Sequence, residues 1–206
     1  MPASDDLPSY QFTPVCQRVQ PEQRANITYE LILRQQPKQS RMCGVGEKAD
    51  RRPIDPPPIV QLIVKTPPSS GANKSGFTSY LQNPYYFMHA SLVEKDSPQD
   101  VLLIKDTRSK EDMNTIFKDN RTKATTGSSV SSLYPLKDFE DSGTESGFFV
   151  FPDLSVRMEG TYRLKFSLYE MVGRDVHFCA HVISDPLVVY SAKKFPGMEG
   201  SLRRRS

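Results

Sequence analysis

His177, Cys179 and His181, spaced by two in "HFCAH", are the most metal-like group in this 206-residue chain. Imidazole nitrogen and thiolate sulfur are zinc ligands, held at ~2.1–2.3 Å. On an extended strand, alternate residues share a face but stand ~6.6 Å apart, which separates the two histidine backbones by ~13 Å. One tetrahedral ion would need a sharp bend or further ligands to span that distance, so the spacing fits the second face of a strand better than a metal site. "GVGEKA" sets Gly44, Gly46 and Ala49 at the spacing of a dinucleotide fingerprint. That motif opens a helix, and Pro53 with the run Pro56, Pro57 and Pro58 forbids one here. No G-x-S-x-G, P-loop or H-E-x-x-H pattern occurs. The acid pairs Glu111–Asp112 and Glu140–Asp141 lie in polar stretches, where solvated charge is their expected role. The residues therefore read as a non-enzyme with no metal, no cofactor and no small-molecule substrate.

A different chemistry resides in "RMCGVGEKADRRPIDPPPI", residues 41–59. Between Arg34 and Arg52 stand six basic residues (Arg34, Lys38, Arg41, Lys48, Arg51 and Arg52) and two acids (Glu47 and Asp50), a net +4 that exceeds the +3 of the whole chain. Arginine presents forked donors that match a phosphate or a guanine edge, and lysine a mobile point charge. Gly44 and Gly46 let the backbone turn tightly or approach a partner closely. The pattern reads either as a nucleic-acid-binding loop on a rigid scaffold or as a solvated loop with no ligand. The prolines 56–58 read as a stiff stem.

The elements that must hold this loop are strands. Residues 27–35 alternate, with Ile27, Tyr29, Leu31 and Leu33 on one side and Thr28, Glu30 and Arg34 on the other. "IVQLIVK" (59–65) does the same through Val60, Leu62 and Val64. Further strands are expected at 85–95, 101–105 and 147–151, and at 161–170 with Tyr162, Leu164, Phe166 and Leu168 inward. Two more follow, at 176–183 with Val176, Phe178, Ala180 and Val182 inward, and at 186–190. Residues 66–80 and 106–146 read as long polar loops, with a short helix near 111–117. Seven or eight short strands with turn signals between them predict an antiparallel β-sandwich.

Bulk properties agree with one such domain. The mean hydropathy of −0.52 and the 17 prolines describe a heavily punctuated chain with one core. Three cysteines without regular spacing do not suggest a disulfide framework. The N-terminus lacks the apolar core of a signal peptide, and no apolar run approaches the ~18 residues of a membrane span, so no membrane partner is expected.

The chain resembles the velvet-domain family of fungal regulators of development and secondary metabolism. The matching stretches are "YELILRQQPKQSRMCG" (29–44), "EKADRRPIDPPPIVQL" (47–62), "YYFMHASL" (85–92), "SSLYPLKD" (131–138), "GFFVFPDLSVRMEGTYRLKFSLYE" (147–170) and "VVYSAKKFPGM" (188–198). "DLPSYQFTPVCQR" (6–18) is similar to the VosA-type branch, which is associated with spore viability. The resemblance implies an all-β, immunoglobulin-like sandwich similar to the Rel/NF-κB DNA-binding domain, with long loops and few short helices. It implies a DNA-binding transcription regulator of sporulation and secondary metabolism. That regulator would pair with itself or with a VelB-like velvet partner, bind promoter DNA, and reside in the nucleus with a cytoplasmic pool. The alternative is an interaction subunit that reads DNA only through its partner. The resemblance carries DNA contact onto Arg34, Lys38, Arg41, Cys43, Gly44, Lys48, Arg51 and Arg52 as a group. Cys43 would make that contact redox-sensitive if exposed as a thiolate; a packed thiol is the other reading.

The expected organisation is a flexible arm (1–22), a velvet domain (23–198) and a short basic tail (199–206). Family members continue past "SAKKFPG" into a further strand-like segment, so this chain reads as a truncated or a short form. Lys193 and Lys194 with Arg203, Arg204 and Arg205 could form a nuclear-import signal, or simply a solvated basic run.

Overall fold

The computed structural model describes residues 27–44, 51–65, 81, 83–105, 121–138 and 144–197. Among these residues fourteen strands follow one another: β1 (Thr28–Gln35), β2 (Gln39–Arg41), β3 (Ile59–Lys65), β4 (Tyr86–Glu94), β5 (Leu103–Lys105), β6 (Arg121–Lys123) and β7 (Thr125–Gly127), then β8 (Val130–Ser132), β9 (Tyr134–Asp138), β10 (Thr144–Val150), β11 (Leu154–Val156), β12 (Gly160–Val172), β13 (Asp175–Ile183) and β14 (Leu187–Tyr190). Apart from Leu81, whose backbone is helical, the described residues contain no helix.

Two sheets make the sandwich. The smaller has the order β1-β3-β10-β9, and the larger β2-β14-β12-β4-β8, with β13 also paired to β12. Alternation in the sequence becomes register in the structure. Tyr29, Leu31 and Leu33 oppose Val64, Leu62 and Val60 across β1 and β3, while Leu164, Phe166 and Leu168 oppose Leu92, Ala90 and Met88 across β12 and β4. These two apolar faces meet in one core, which Phe149, Phe151, Leu154 and Val156 complete. Fully burying a side chain of this size contributes about 1.5–3 kcal/mol. Tyr29 and Tyr86 join the sheets edge to face, their ring centroids 6.0 Å apart and their hydroxyls 3.4 Å apart. Burial pushes the Tyr29 phenol up to about 12.

Two expectations need correction. The first concerns β13, where Val176 and Phe178 face solvent at 57% and 58% exposure. Leu168 pairs with Ala180 but Tyr169 with Phe178, so Cys179 is an extra residue in the ladder. Such a bulge reverses the alternation. Cys179 turns towards the core, and Phe178 turns outward onto Tyr169, 5.8 Å away.

The second concerns residues 106–146. Their described part is not loop but β6, β7, β8, β9 and the start of β10. These strands are short and polar, so no apolar alternation marks them. They form because partners supply their backbone bonds: β7 pairs with β11, β8 with β4 and β9 with β10. The helix expected near 111–117 and the loop at 66–80 lie outside the described residues.

Candidate nucleic-acid interface

The basic loop is stitched to the fold at both ends, and the stitching strand is β11. On the way out, β2 runs parallel to β14 with Arg41 beside Tyr190. The Met42 amide donates to Tyr190 O at 2.8 Å, that of Cys43 to Val156 O at 3.0 Å, and that of Gly44 to Arg157 O at 3.2 Å. The Arg157 guanidinium returns a bond of 2.9 Å to Gly44 O. Gly44 needs its φ of 67° for this turn, a conformation that costs a residue with a Cβ about 1 kcal/mol or more.

On the way back, the Ser155 hydroxyl donates to Arg52 O at 3.0 Å. The Ile54 amide then donates to Leu154 O at 2.8 Å, and the Ile54 side chain, 0% exposed, enters the core. Asp55 and Gln39 exchange backbone bonds of 2.8 and 3.0 Å. Alternate residues of β11 thus hold the loop on one edge while the other edge pairs with β7. The consequence is chemical: Arg51 and Arg52 stand exposed where the chain is bonded back to the sandwich at Arg52 and Ile54.

The structure sorts the sequence-predicted residues. Lys38, Arg51 and Arg52 are exposed, and Arg41 is half-buried beside β14. Lys48 lies outside the described residues. Arg34 belongs elsewhere. Its guanidinium grips Asp138 through both carboxylate oxygens, at 2.6 and 3.2 Å, and donates to Gln61 Oε1 at 2.8 Å. With Asp138 only 4% exposed, this is a brace across β1, β3 and β9. It also explains why Gln61, expected to face outward, is buried.

Cys43 is 8% exposed, and its Sγ donates to Val156 O at 3.4 Å. Burial pushes its thiol up, against the opposing pull of Arg157 and Arg51. It is the packed thiol, not an exposed thiolate, and the redox-sensitive reading falls. Lys193 and Lys194 are exposed; Arg203, Arg204 and Arg205 lie outside the described residues.

Arg157 is a site residue that the sequence hides. It sits in "SVRMEG", which reads as a connector, and only the pairing of β11 with the loop brings it to Gly44. No sequence pattern signals it.

Elsewhere the groups do not converge. His181 stacks beside Phe178 on the outer face, with centroids 6.1 Å apart, while Cys179 points inward, so the "HFCAH" trio is split between two faces. An open groove of about 490 Å³ beside it is lined by His89, Asp100, Lys165, Tyr169 and Phe178 among others. Its charged groups are spent on each other: Lys165 reaches Asp100 at 2.7 Å and Ser91 donates to Asp100 at 2.9 Å.

A β-sandwich that presents a clamped, arginine-bearing loop at one end is a scaffold for loop-mediated recognition. Compared with protein-family models, the chain matches the velvet factor family over residues 29–125 and 107–202. The chain belongs to the velvet family. It is 44% identical to "Spore development regulator umv1" of Mycosarcoma maydis, over 87% of this chain and 25% of that protein. It is 39% identical to "Spore development regulator VOSA" of Pyricularia oryzae, over 84% of this chain and 30% of that protein. It is 43% identical to a velvet complex subunit of Chaetomium globosum, over 84% of this chain and 34% of that protein. The alignments thus span a quarter to a third of these relatives' length.

Proposed function

We propose that this chain is a sequence-specific DNA-binding regulator of fungal spore development and secondary metabolism, acting in the nucleus as a velvet homodimer or with a VelB-like partner. The observation that carries the reading is the loop: exposed Arg51 and Arg52 on a backbone bonded at both ends to β11. Such a loop presents cations at fixed separations, as register on a duplex requires. Lysine and arginine at phosphates would supply affinity, and an arginine at a guanine edge specificity worth about 1–3 kcal/mol per base pair. Two relatives named as spore development regulators support the developmental role, and the relative named for a velvet complex supports a velvet partner. The exposed Lys193 and Lys194 fit an import signal.

A second reading is an interaction subunit whose partner supplies the DNA contact. It draws on the outer face of β12 and β13, where Phe178, Val176 and Met171 are 58%, 57% and 45% exposed. A cluster of exposed apolar side chains marks association surfaces. One titration separates the two. Replacing Arg41, Arg51 and Arg52 together by alanine should abolish salt-sensitive DNA binding while velvet partners stay bound. Undiminished DNA binding by that folded variant would sink the loop as reader and favour the partner-supplied contact.

A further inference from the structure

The loop is not alone at its end of the molecule. β2 and β14 run parallel, with Gln39 beside Val188 and Arg41 beside Tyr190. Parallel neighbours leave a sheet at the same end, so the chain after Tyr190 departs side by side with the chain after Arg41, and the Met42 amide bonds Tyr190 O as it goes. The departing chain turns at once. The Lys194 amide donates to Ser191 O at 3.1 Å, which closes a turn whose ends lie within ~7 Å. The ring of Phe195 then returns onto Tyr190, with centroids 6.3 Å apart, and the Gln39 side chain donates to Gly197 O at 3.0 Å. Residues 191–197 are thus folded back onto β2 and β14. Lys193 and Lys194, both exposed, stand at the bend, where the basic loop begins. One strand spacing, one peptide step and the turn place the Cα of Lys194 within about 16 Å of that of Arg41. That reach is comparable with the ~12 Å width of one major groove. Residues 36–46 and 186–197 contain no acid; Asp55, which accepts from Gln39 at 3.2 Å, is buried.

We infer that the Lys193–Lys194 turn is a second DNA-contacting element that grips the phosphate backbone beside the base pairs met by the loop. This deepens the DNA-binding reading and rests on it. It gives the two lysines a use in the folded domain that is separate from import. A lysine ammonium is a compact point charge on a flexible stem, suited to a phosphate. Phosphate contacts position a protein without reading sequence, so the turn adds affinity equally on every duplex. Its anchors are Phe195 on Tyr190 and Gly197 on Gln39, so the charges can be removed without loosening the turn.

The test is a fluorescence anisotropy titration of the full chain on two unrelated duplexes of about 30 base pairs, at about 50 and 200 mM salt. Wild type is set beside Lys193→Ala/Lys194→Ala and beside Lys137→Ala/Arg174→Ala, which removes the same charge from β9 and from the turn between β12 and β13. The Lys193/Lys194 variant should melt as wild type does and bind both duplexes roughly ten- to a hundredfold more weakly at the lower salt. Its plot of log affinity against log salt should be shallower by about 1–2, near 0.9 for each phosphate no longer neutralised. The control pair should keep the wild-type slope. An unchanged slope in the Lys193/Lys194 variant, beside a binding wild type, would remove the turn from the interface while leaving the loop reading intact. Equal flattening by both pairs would reduce the effect to net charge and sink the turn as a contact. Unequal weakening on the two duplexes would make the turn a base reader and overturn its assignment to the backbone. A wild type with no salt-dependent binding would overturn the loop reading and the turn with it.

Discussion

Two exposed regions of this molecule are built in opposite ways. At the loop end, the outward side chains are charged and the backbone beneath them is pinned by bonds to Tyr190, Val156, Arg157 and Leu154. On the outer face of β12 and β13, the backbone is a strand ladder with one bulge at Cys179, and the outward side chains are largely aromatic. Phe87 and Tyr169 stack there with centroids 5.4 Å apart, and Phe178 meets Tyr169 edge to face. Charged side chains gain little from surface packing and stay solvated, so a charged recognition surface keeps its shape only if its backbone is held. Aromatic side chains supply rigid contact area by themselves. The loop end accordingly depends on hydrogen bonds, and the aromatic face on the bulge at Cys179 that turned it outward.

That contrast can be broken from the loop side. Gly127 has a φ of 86°, and a Cβ there would lie 1.6 Å from Asp153 O. Gly127→Ala should part β7 from β11 and cost about 3 kcal/mol or more. Denaturant unfolding measures that cost, and DNA affinity should fall with it because β11 holds the loop; an intact melting curve would show that β7 is dispensable to the staple.

Arg34 sharpens the contrast, since it belongs to the loop by charge count and to the fold by geometry. Arg34→Ala leaves the Asp138 carboxylate buried without its guanidinium and should cost about 2–4 kcal/mol, the guanidinium itself being partly exposed. The salt slope of DNA binding should not move. A flattened slope with unchanged stability would return Arg34 to the DNA face.

The smallest effect is expected beside the aromatic face. Burial holds the His89 imidazole below its ordinary value; Asp100 opposes this, and Lys123 and Lys165 reinforce it. Below pH ~6.5 the unfolded chain therefore takes up a proton that the folded chain resists. His89 contributes its full stability above that pH and loses it as pH falls through the lower folded value. Relative to wild type, His89→Asn should gain stability on moving from pH 7 to pH 5, by less than about 1 kcal/mol. A parallel pH profile for the two proteins would remove His89 as the cause.

The sandwich was largely legible because β1, β3 and β12 write their buried faces as strict alternation. β13 was legible as a strand but not in its orientation: a one-residue bulge leaves no mark in "DVHFCAHVI" yet reverses which side chains meet water. The strands between 121 and 138 were illegible because their cohesion lies in partners far along the chain. The candidate site divides along the same line. Arg41, Arg51 and Arg52 could be read from local composition. Arg157 could not, because only the bonds between the loop and the end of β11 bring it to Gly44. Arg34 was misplaced because its partner, Asp138, lies 104 residues on.

The two anchors of the basic loop, at Leu154 and Val156, are two residues apart on a single strand, hence about 7 Å. Whatever lies between them begins and ends at almost the same point in space. Doubling the length of such an excursion costs only about 0.6 kcal/mol of closure entropy. The scaffold thus treats the loop as an exchangeable cassette. On the proposed reading, a lineage carrying this domain can change the DNA it answers to by editing half a dozen codons, while the architecture that carries the message stays as it was.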